Sequence, residues 1–439
     1  MKFLIAVALL CATARADDGT YLLPHPDDSW WLSGQLNVIA QGQPGFHAPY
    51  TGDNSFRTDD HGAISFVTTV YGGYEITRYT AIVVAGESAG GDGLSSALGI
   101  AGFTNLDVVR NPTLGATPYL GRAFIDQVIP LGDERKPAER DPLHVLRSLP
   151  VRRLEIRAGK MGTVDVFDQN SVGTDSHLQF MNWAIDNNGA YDYAADTRGY
   201  SLGASIDYVD HWGAVRAGVF LMPTVANGID YDFDLAHARG QQLEVELHDC
   251  LAGHPGIVRV LGYLNDAKMG HYDDAIVVSR TGPDVPDITA VRLVGQTKYG
   301  FGVSWEQELA FDARAFFRIG WNDGQTESFA YTEVDNTVLV GGDLKGTHWS
   351  RPDDKLGIAF VTNGLSDVHR TYLALGGKGF LLGDGMLHYG REDILESYYT
   401  ARAYRGISPS LDLQLIERPG YNRDRGPVAV GSFRLHIDL

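Results

Sequence analysis

Cysteine is nearly absent, two in 439 residues, and with Cys11 in the leader described below only Cys250 remains, so no intrachain disulfide can staple the mature chain. Beyond the leader no stretch reaches the roughly eighteen apolar residues that a helical membrane span needs, which excludes helical membrane folds. Positive charge is scarce as well. Lys+Arg of 36 against Asp+Glu of 55 gives −19, and nucleic acid is not an expected partner. Catalytic wording is also thin. No His-Glu-x-x-His occurs, no serine nucleophile turn is expected, and the histidines His144, His177, His237, His254 and His348 are scattered. Asp165-Val-Phe-Asp168 brings two carboxylates close in sequence, but without a surrounding helix pattern it reads as a charged loop. The reading is therefore non-enzymatic, with no cofactor and no metal.

What is present begins with Met1–Ala16: a basic Lys2, a short apolar run, and Ala14-Arg15-Ala16 before two acids. That is the pattern of a secretory signal, too short in its apolar core to span a bilayer. Leu10 before Cys11 fits lipoprotein cleavage poorly. Cleavage is expected before Asp17, leaving residues 17–439 as one domain with a net charge of −21 once Lys2 and Arg15 are gone. Gly at 52 and Tyr at 21 suit many strands and turns, with aromatic residues for two water interfaces.

Alternation of period two runs through the rest. In the last segment Phe433, Leu435, Ile437 and Leu439 share one face, and Arg434, His436 and Asp438 share the other. A first strand is expected over Gln35–Gln41, followed by a loop from Gln43 to Ser55 that is rich in turn formers. Ile64–Tyr71 alternates up to a Gly72-Gly73 turn, and a partner strand is expected through Val83. Ala89–Ser95 lacks the Lys-Ser/Thr ending of a phosphate loop and reads as a loop folded inward over a barrel mouth.

Later segments repeat the theme, as in Leu202/Ala204/Ile206/Tyr208 against Ser201/Ser205/Asp207, and Leu243/Val245/Leu247 against Gln242/Glu244/Glu246. Tyr299–Leu309 alternates with Gln307 as its misfit, and Phe311–Trp321 with Phe316 as its exception. A soluble sandwich also alternates, but a chain of this length would show linkers, and none interrupts Gln35 to Leu439. The expected fold is all-β: one closed antiparallel transmembrane β-barrel with inward-folded extracellular loops, its last strand pairing with its first. Such a barrel predicts that Val303→Arg, facing lipid, damages assembly while Ser304→Arg, facing a wet lumen, does not.

Several stretches are more specific than a period. Phe46–Ser55, Gly93–Phe103, Gly159–Asp168, Phe180–Ala184, Asp196-Thr-Arg-Gly-Tyr200, Gly383-Asp-Gly385, Ile394–Tyr399 and Pro419–Pro427 resemble the carbohydrate-selective porins of the OprB type. The resemblance covers nearly all of the mature chain. It implies sixteen strands in the outer membrane of a Gram-negative bacterium, as a monomer or homotrimer in lipid, passing monosaccharides and similar small polar solutes into the periplasm. One departure is the ending, Leu439, where the family usually has an aromatic residue. The competing class is an exported all-β carbohydrate-binding or adhesion protein without a pore.

A sugar offers hydroxyls and apolar ring faces, so a selective constriction should combine charged hydrogen-bonding groups with an aromatic platform. Within or beside the family-like stretches the candidates are Glu87, Arg122, Lys160, Asp165 and Arg198, with Trp183 as the platform.

Overall fold

Alternation becomes strand over most of its length, Phe311 and Asp312 excepted, which form the turn ahead of Ala313. The computed structural model describes residues 20–25, 27–109, 114–251, 253–282 and 285–439. The expected leader 1–16 and its cleavage site lie outside the described residues. From the amino end the strands are β1 (Trp30–Gln43), β2 (His61–Thr77), β3 (Thr80–Gly91), β4 (Tyr119–Pro130), the short β5 (Arg135–Pro137) and β6 (Ser148–Pro150), β7 (Arg153–Met161), β8 (Ser201–Asp210) and β9 (Gly213–Leu221). The remainder are β10 (Arg239–Leu251), β11 (His254–Met269), β12 (Leu293–Glu308), β13 (Ala313–Asn322), β14 (Asn336–Lys345), β15 (Lys355–Gly364), β16 (Glu392–Thr400), β17 (Ile407–Glu417) and β18 (Val428–Asp438).

β5 and β6 pair only with each other; the other sixteen close into one antiparallel barrel. β18 seals it against β1, with Phe433 opposite Ala40 and Ile437 opposite Leu36. Closure leaves no sheet edge in need of a partner. Connections at one rim are short, such as 78–79 and 211–212, whereas at the other rim they run long, as in 92–118, 162–200 and 365–391.

The two faces are inverted relative to a soluble protein. Ile64, Val70 and Leu411 stand 63%, 60% and 64% exposed on the outer wall, while Asn37, Glu244, Arg318, Glu396 and Arg434 are buried inside. An apolar outer girdle over a polar interior is what lipid outside and solute inside require. The apolar core lies within the barrel and comes largely from loops: Phe167, Phe180, Met181, Ile185 and Tyr191 of the segment 162–200 are all buried.

That segment explains one irregularity of the alternation, at Phe316, and one difference from expectation, at Ser304, while Gln307 has a separate cause. Phe316 breaks the pattern of β13 by pointing inward, where it packs on Phe180 with ring centroids 5.9 Å apart. Gln307 is buried because its amide donates to the carbonyls of His254 and Pro255, each at 2.9 Å. Ser304 faces inward as expected, but toward packed loop and not toward water: it is 3% exposed, and Asn170 donates to its hydroxyl at 3.2 Å. Ala89–Gly91, expected as loop, continue β3, and the loop that follows folds inward as expected, burying Leu94, Ile100, Ala101 and Phe103.

Gly72-Gly73 is not a turn. β2 runs through both glycines, pairing Gly72 with Val84 and Gly73 with Val83, and the reversal comes at Arg78-Tyr79. The pair serves packing instead. A Cβ on Gly73 would sit 2.5 Å from Cγ1 of Val145, so its absence lets the 131–152 connection seat against the wall.

Candidate lumenal site

Long connections entering a closed tube leave a cavity of about 230 Å3 between the described parts of 92–118, the segment 162–200 and the wall around β1–β4. Five of the six residues nominated from sequence line it: Glu87, Arg122, Asp165, Trp183 and Arg198. Arg122 is the hub. Its guanidinium grips Asp165 with two parallel bonds of 2.8 and 2.7 Å and reaches the Tyr200 hydroxyl at 3.2 Å. Asp165 sits at the end of a 3-10 turn and also accepts from the Gly162 amide at 2.8 Å, so the pair ties the start of the inward loop to β4. Tyr200 in turn donates to Glu87 at 2.9 Å, and Tyr119 donates to the other oxygen of the same carboxylate. Arg198 lies over the Tyr119 ring, 3.8 Å from its centroid.

A bulge makes this cluster. β3 pairs Ala85 with Arg122 but Gly86 with Leu120, so Gly121 is an extra residue. Leu120 points outward at 49% exposure, and Tyr119 and Arg122, three apart, both reach the lumen. Strict alternation would have put them on opposite faces.

The other two nominees differ from expectation. Lys160 does not line the cavity: it shares a register row with Ala123 and Leu202, on the outward parity of β4 and β8, and its ammonium turns to Asp196 at 3.8 Å. Trp183 is 6% exposed and is held on three sides, stacked on Tyr331 at 5.5 Å, edge-on to Phe103 at 5.8 Å, and donating its indole N–H to the Asn105 carbonyl at 2.8 Å. It offers the cavity an edge and not an open platform, and the other two rings there carry cations, Arg198 over Tyr119 and Arg122 over Tyr200 at 5.0 Å. Sequence reading passed over both tyrosines, although Tyr200 closes the family-like Asp196–Tyr200 stretch.

Two catalytic patterns dissolve in the fold. Gly86-Glu87-Ser88-Ala89-Gly90 spells the serine nucleophile pattern, which sequence reading passed over, but it lies within and at the end of β3, and the Ser88 hydroxyl donates to the Ala116 carbonyl at 2.7 Å. Asp165 and Asp168 diverge, Asp165 to Arg122 and Asp168 toward Arg318 at 3.5 Å. Among the described residues no group of His, Cys, Asp and Glu is arranged to hold a metal ion.

At the far side of the cavity the two inward segments meet through an ion pair. His177 Nε2 lies 3.3 Å from Asp107, which also accepts from Asn37 at 2.5 Å, and the imidazole stacks on His436 at 5.1 Å. Burial alone would drive the His177 proton off, but the Asp107 carboxylate outweighs it, with Asp175 adding and Arg434 opposing, and the pKa is pushed up to about 9. Burial would likewise raise Asp107, and His177 overrides it to hold that carboxyl below its usual range. The sign follows. A histidine raised above its unfolded value of roughly 6.5 contributes stability in full below that pH and loses it as pH rises through about 9. Conductance fluctuations and unfolding temperature should therefore shift between neutral pH and pH 9 in the wild type, and His177→Gln should flatten that response. An unchanged response in the variant would show that the loop contact does not titrate there.

The model of the carbohydrate-selective porin family, OprB, matches residues 53–439. Two structures of OprB from Pseudomonas putida share the fold: the high-pH form at a TM-score of 0.71 and 16% identity over 94% of each chain, and the low-pH form at 0.50 and 12% over 94% of this chain and 93% of that one. The outer membrane channel DcaP of Acinetobacter baumannii aligns at 0.49 and 10% identity over 93% of this chain and 97% of its own. Among curated proteins none matches. The barrel, its inward loops and a family match over most of its length place the chain together: it belongs to the carbohydrate-selective porins of the OprB family.

Proposed function

We propose that this protein is a passive outer-membrane channel through which monosaccharides and similar small polar solutes diffuse into the periplasm, with the cavity around Arg122 as its constriction. The observation that carries the reading is the combination in one space of a paired Arg122–Asp165, the carboxylate of Glu87, and the rings of Tyr119 and Tyr200. Charged donors and acceptors replace part of the hydration of a sugar's hydroxyls, and the ring edges meet its apolar side. Binding has to be weak, because a solute held tightly would conduct slowly. Glu87, Arg122, Asp165 and Arg198 act at the constriction in this reading, Trp183 supports it from the side, and Lys160 acts at one remove by holding Asp196. The long-loop rim faces outward and the short-turn rim faces the periplasm, the usual polarity of such barrels. Export by the leader, cleaved before Asp17, completes the reading.

The test is osmotic swelling of liposomes carrying protein recovered from the outer membrane with Asp17 as its first residue. Swelling should be faster in monosaccharides than in trisaccharides, and sugar should interrupt the ionic current in planar bilayers. Protein that stays soluble without detergent, or that causes no swelling, would overturn the channel and leave an exported sugar-binding or adhesion protein.

A further inference from the structure

Where the long loops leave the outer wall, three arginines converge on the edge of the apolar girdle. Phe360 of β15, Leu395 of β16 and Leu415 of β17 form an outward row, 41%, 37% and 44% exposed. One step further toward the rim, on the same parity, stand Thr362, Asp393 and Glu417. Beside them an open depression of about 710 Å3 is walled by Arg391, Arg418 and Arg423.

Arg391 is fixed in place by neutral groups: it donates to the Asn336 side chain at 2.5 Å, to the Thr362 hydroxyl at 2.9 Å and to the Thr362 carbonyl at 2.8 Å. Among the described residues no carboxylate pairs with it. Arg418 is shared, donating to Asp393, to Glu417 at 2.8 Å and to the Arg391 carbonyl at 2.6 Å. Arg423 is exposed and forms no ion pair among the described residues. Gly390 lets two of them close in, since a Cβ there would lie 2.6 Å from Arg418 Cδ and 2.9 Å from Arg423 Cγ.

Three guanidinium groups share two carboxylates here, in a chain whose overall charge is −19. Like charges held together beside hydrocarbon repel more strongly than they would in water. An anion with several oxygens on one centre relieves that repulsion, and the guanidinium fork matches phosphate in two-pronged contacts. The depression sits at the upper edge of the apolar row, where the phosphates of membrane lipids lie.

We propose that this depression binds the phosphate of a phosphorylated lipid headgroup in the outer leaflet. The inference rests on the outer-membrane reading above, and the lipid measurement is made on preparations whose conductance is measured separately, so the two can fail independently. Full-length mature protein in neutral detergent is offered diphosphorylated lipid A, the same lipid stripped of phosphate, or inorganic phosphate, and retained ligand is read by native mass spectrometry. The wild type should retain the phosphorylated lipid preferentially, and inorganic phosphate at equal concentration should not displace it. Arg423→Gln, which breaks no internal bond, should weaken retention about fivefold, the factor for one arginine at an anionic surface. Arg391→Gln should weaken it at least as much, and Arg280→Gln, an exposed arginine in another loop, should not. Equal retention of the stripped lipid, displacement by inorganic phosphate alone, wild-type retention in both cluster variants, or a change of oligomeric state in place of lipid loss would each overturn the proposal.

Discussion

Arg122→Ala is expected to weaken sugar-induced current block about tenfold, the low end for losing a hydrogen bond to a charged group. The substitution removes the two bonds to Asp165 and the bond to Tyr200 together, and it leaves Asp165 with only the Gly162 amide. The freed carboxylate borders the cavity, so cation selectivity should rise as block falls. Assembly should survive, because the ladder of β4 does not depend on the side chain. Arg434, near the chain end, is the comparison. Its guanidinium is buried and donates to the carbonyls of Ser176 and Gln179, at 2.6 and 2.9 Å, and to the hydroxyls of Thr400 and Ser410. It pins the inward segment to the last strands. Arg434→Ala should therefore raise and destabilise the open current, a different result from weakened sugar block. If Arg122→Ala keeps wild-type block in reconstituted channels, the constriction does not depend on Arg122.

Val303→Arg should impair assembly of the barrel. A cation on the lipid-facing wall near the midplane costs roughly 2–4 kcal/mol, enough to lower the folded fraction severely. The neighbouring Ser304→Arg was expected to be harmless in a wet lumen, but Ser304 lies beneath Asn170 of the inward segment. An arginine there has to push that segment away, an overpacking cost of about 1–3 kcal/mol. The barrel wall is untouched. Ser304→Arg should thus reach the membrane and resist detergent before heating while its conductance differs from wild type. Val303→Arg should be depleted from the membrane, with little heat-modifiable band on a denaturing gel. Wild-type abundance of Val303→Arg would refute the outward assignment of β12.

The strands were legible because their information is local. A residue's face is fixed by its neighbours two positions away, so Gln35–Gln41, Leu243–Glu246 and Phe433–Asp438 could be oriented without knowing their partners. Glycine pairs were less informative. Gly72-Gly73 has the composition of a turn, and only Val145, packed against the wall from a distant connection, gives those glycines another use.

By itself the sequence determined an all-β chain with an apolar face and a charged face along each strand, a closed ladder from β1 to β18, and the residue types from which a sugar-passing constriction could be made. Tertiary structure decided which of those residues meet. The extra residue at Gly121 resets the parity of β4 and brings Tyr119 and Arg122 to one side, while register turns Lys160 away. The segment 162–200 fills much of the lumen because Arg318 and Arg434, far along the chain, hold its carbonyls. Neither effect has a local periodicity. A bulge shifts every later side chain by one position, and a loop held by residues more than a hundred positions away takes its course only once the barrel has closed around it.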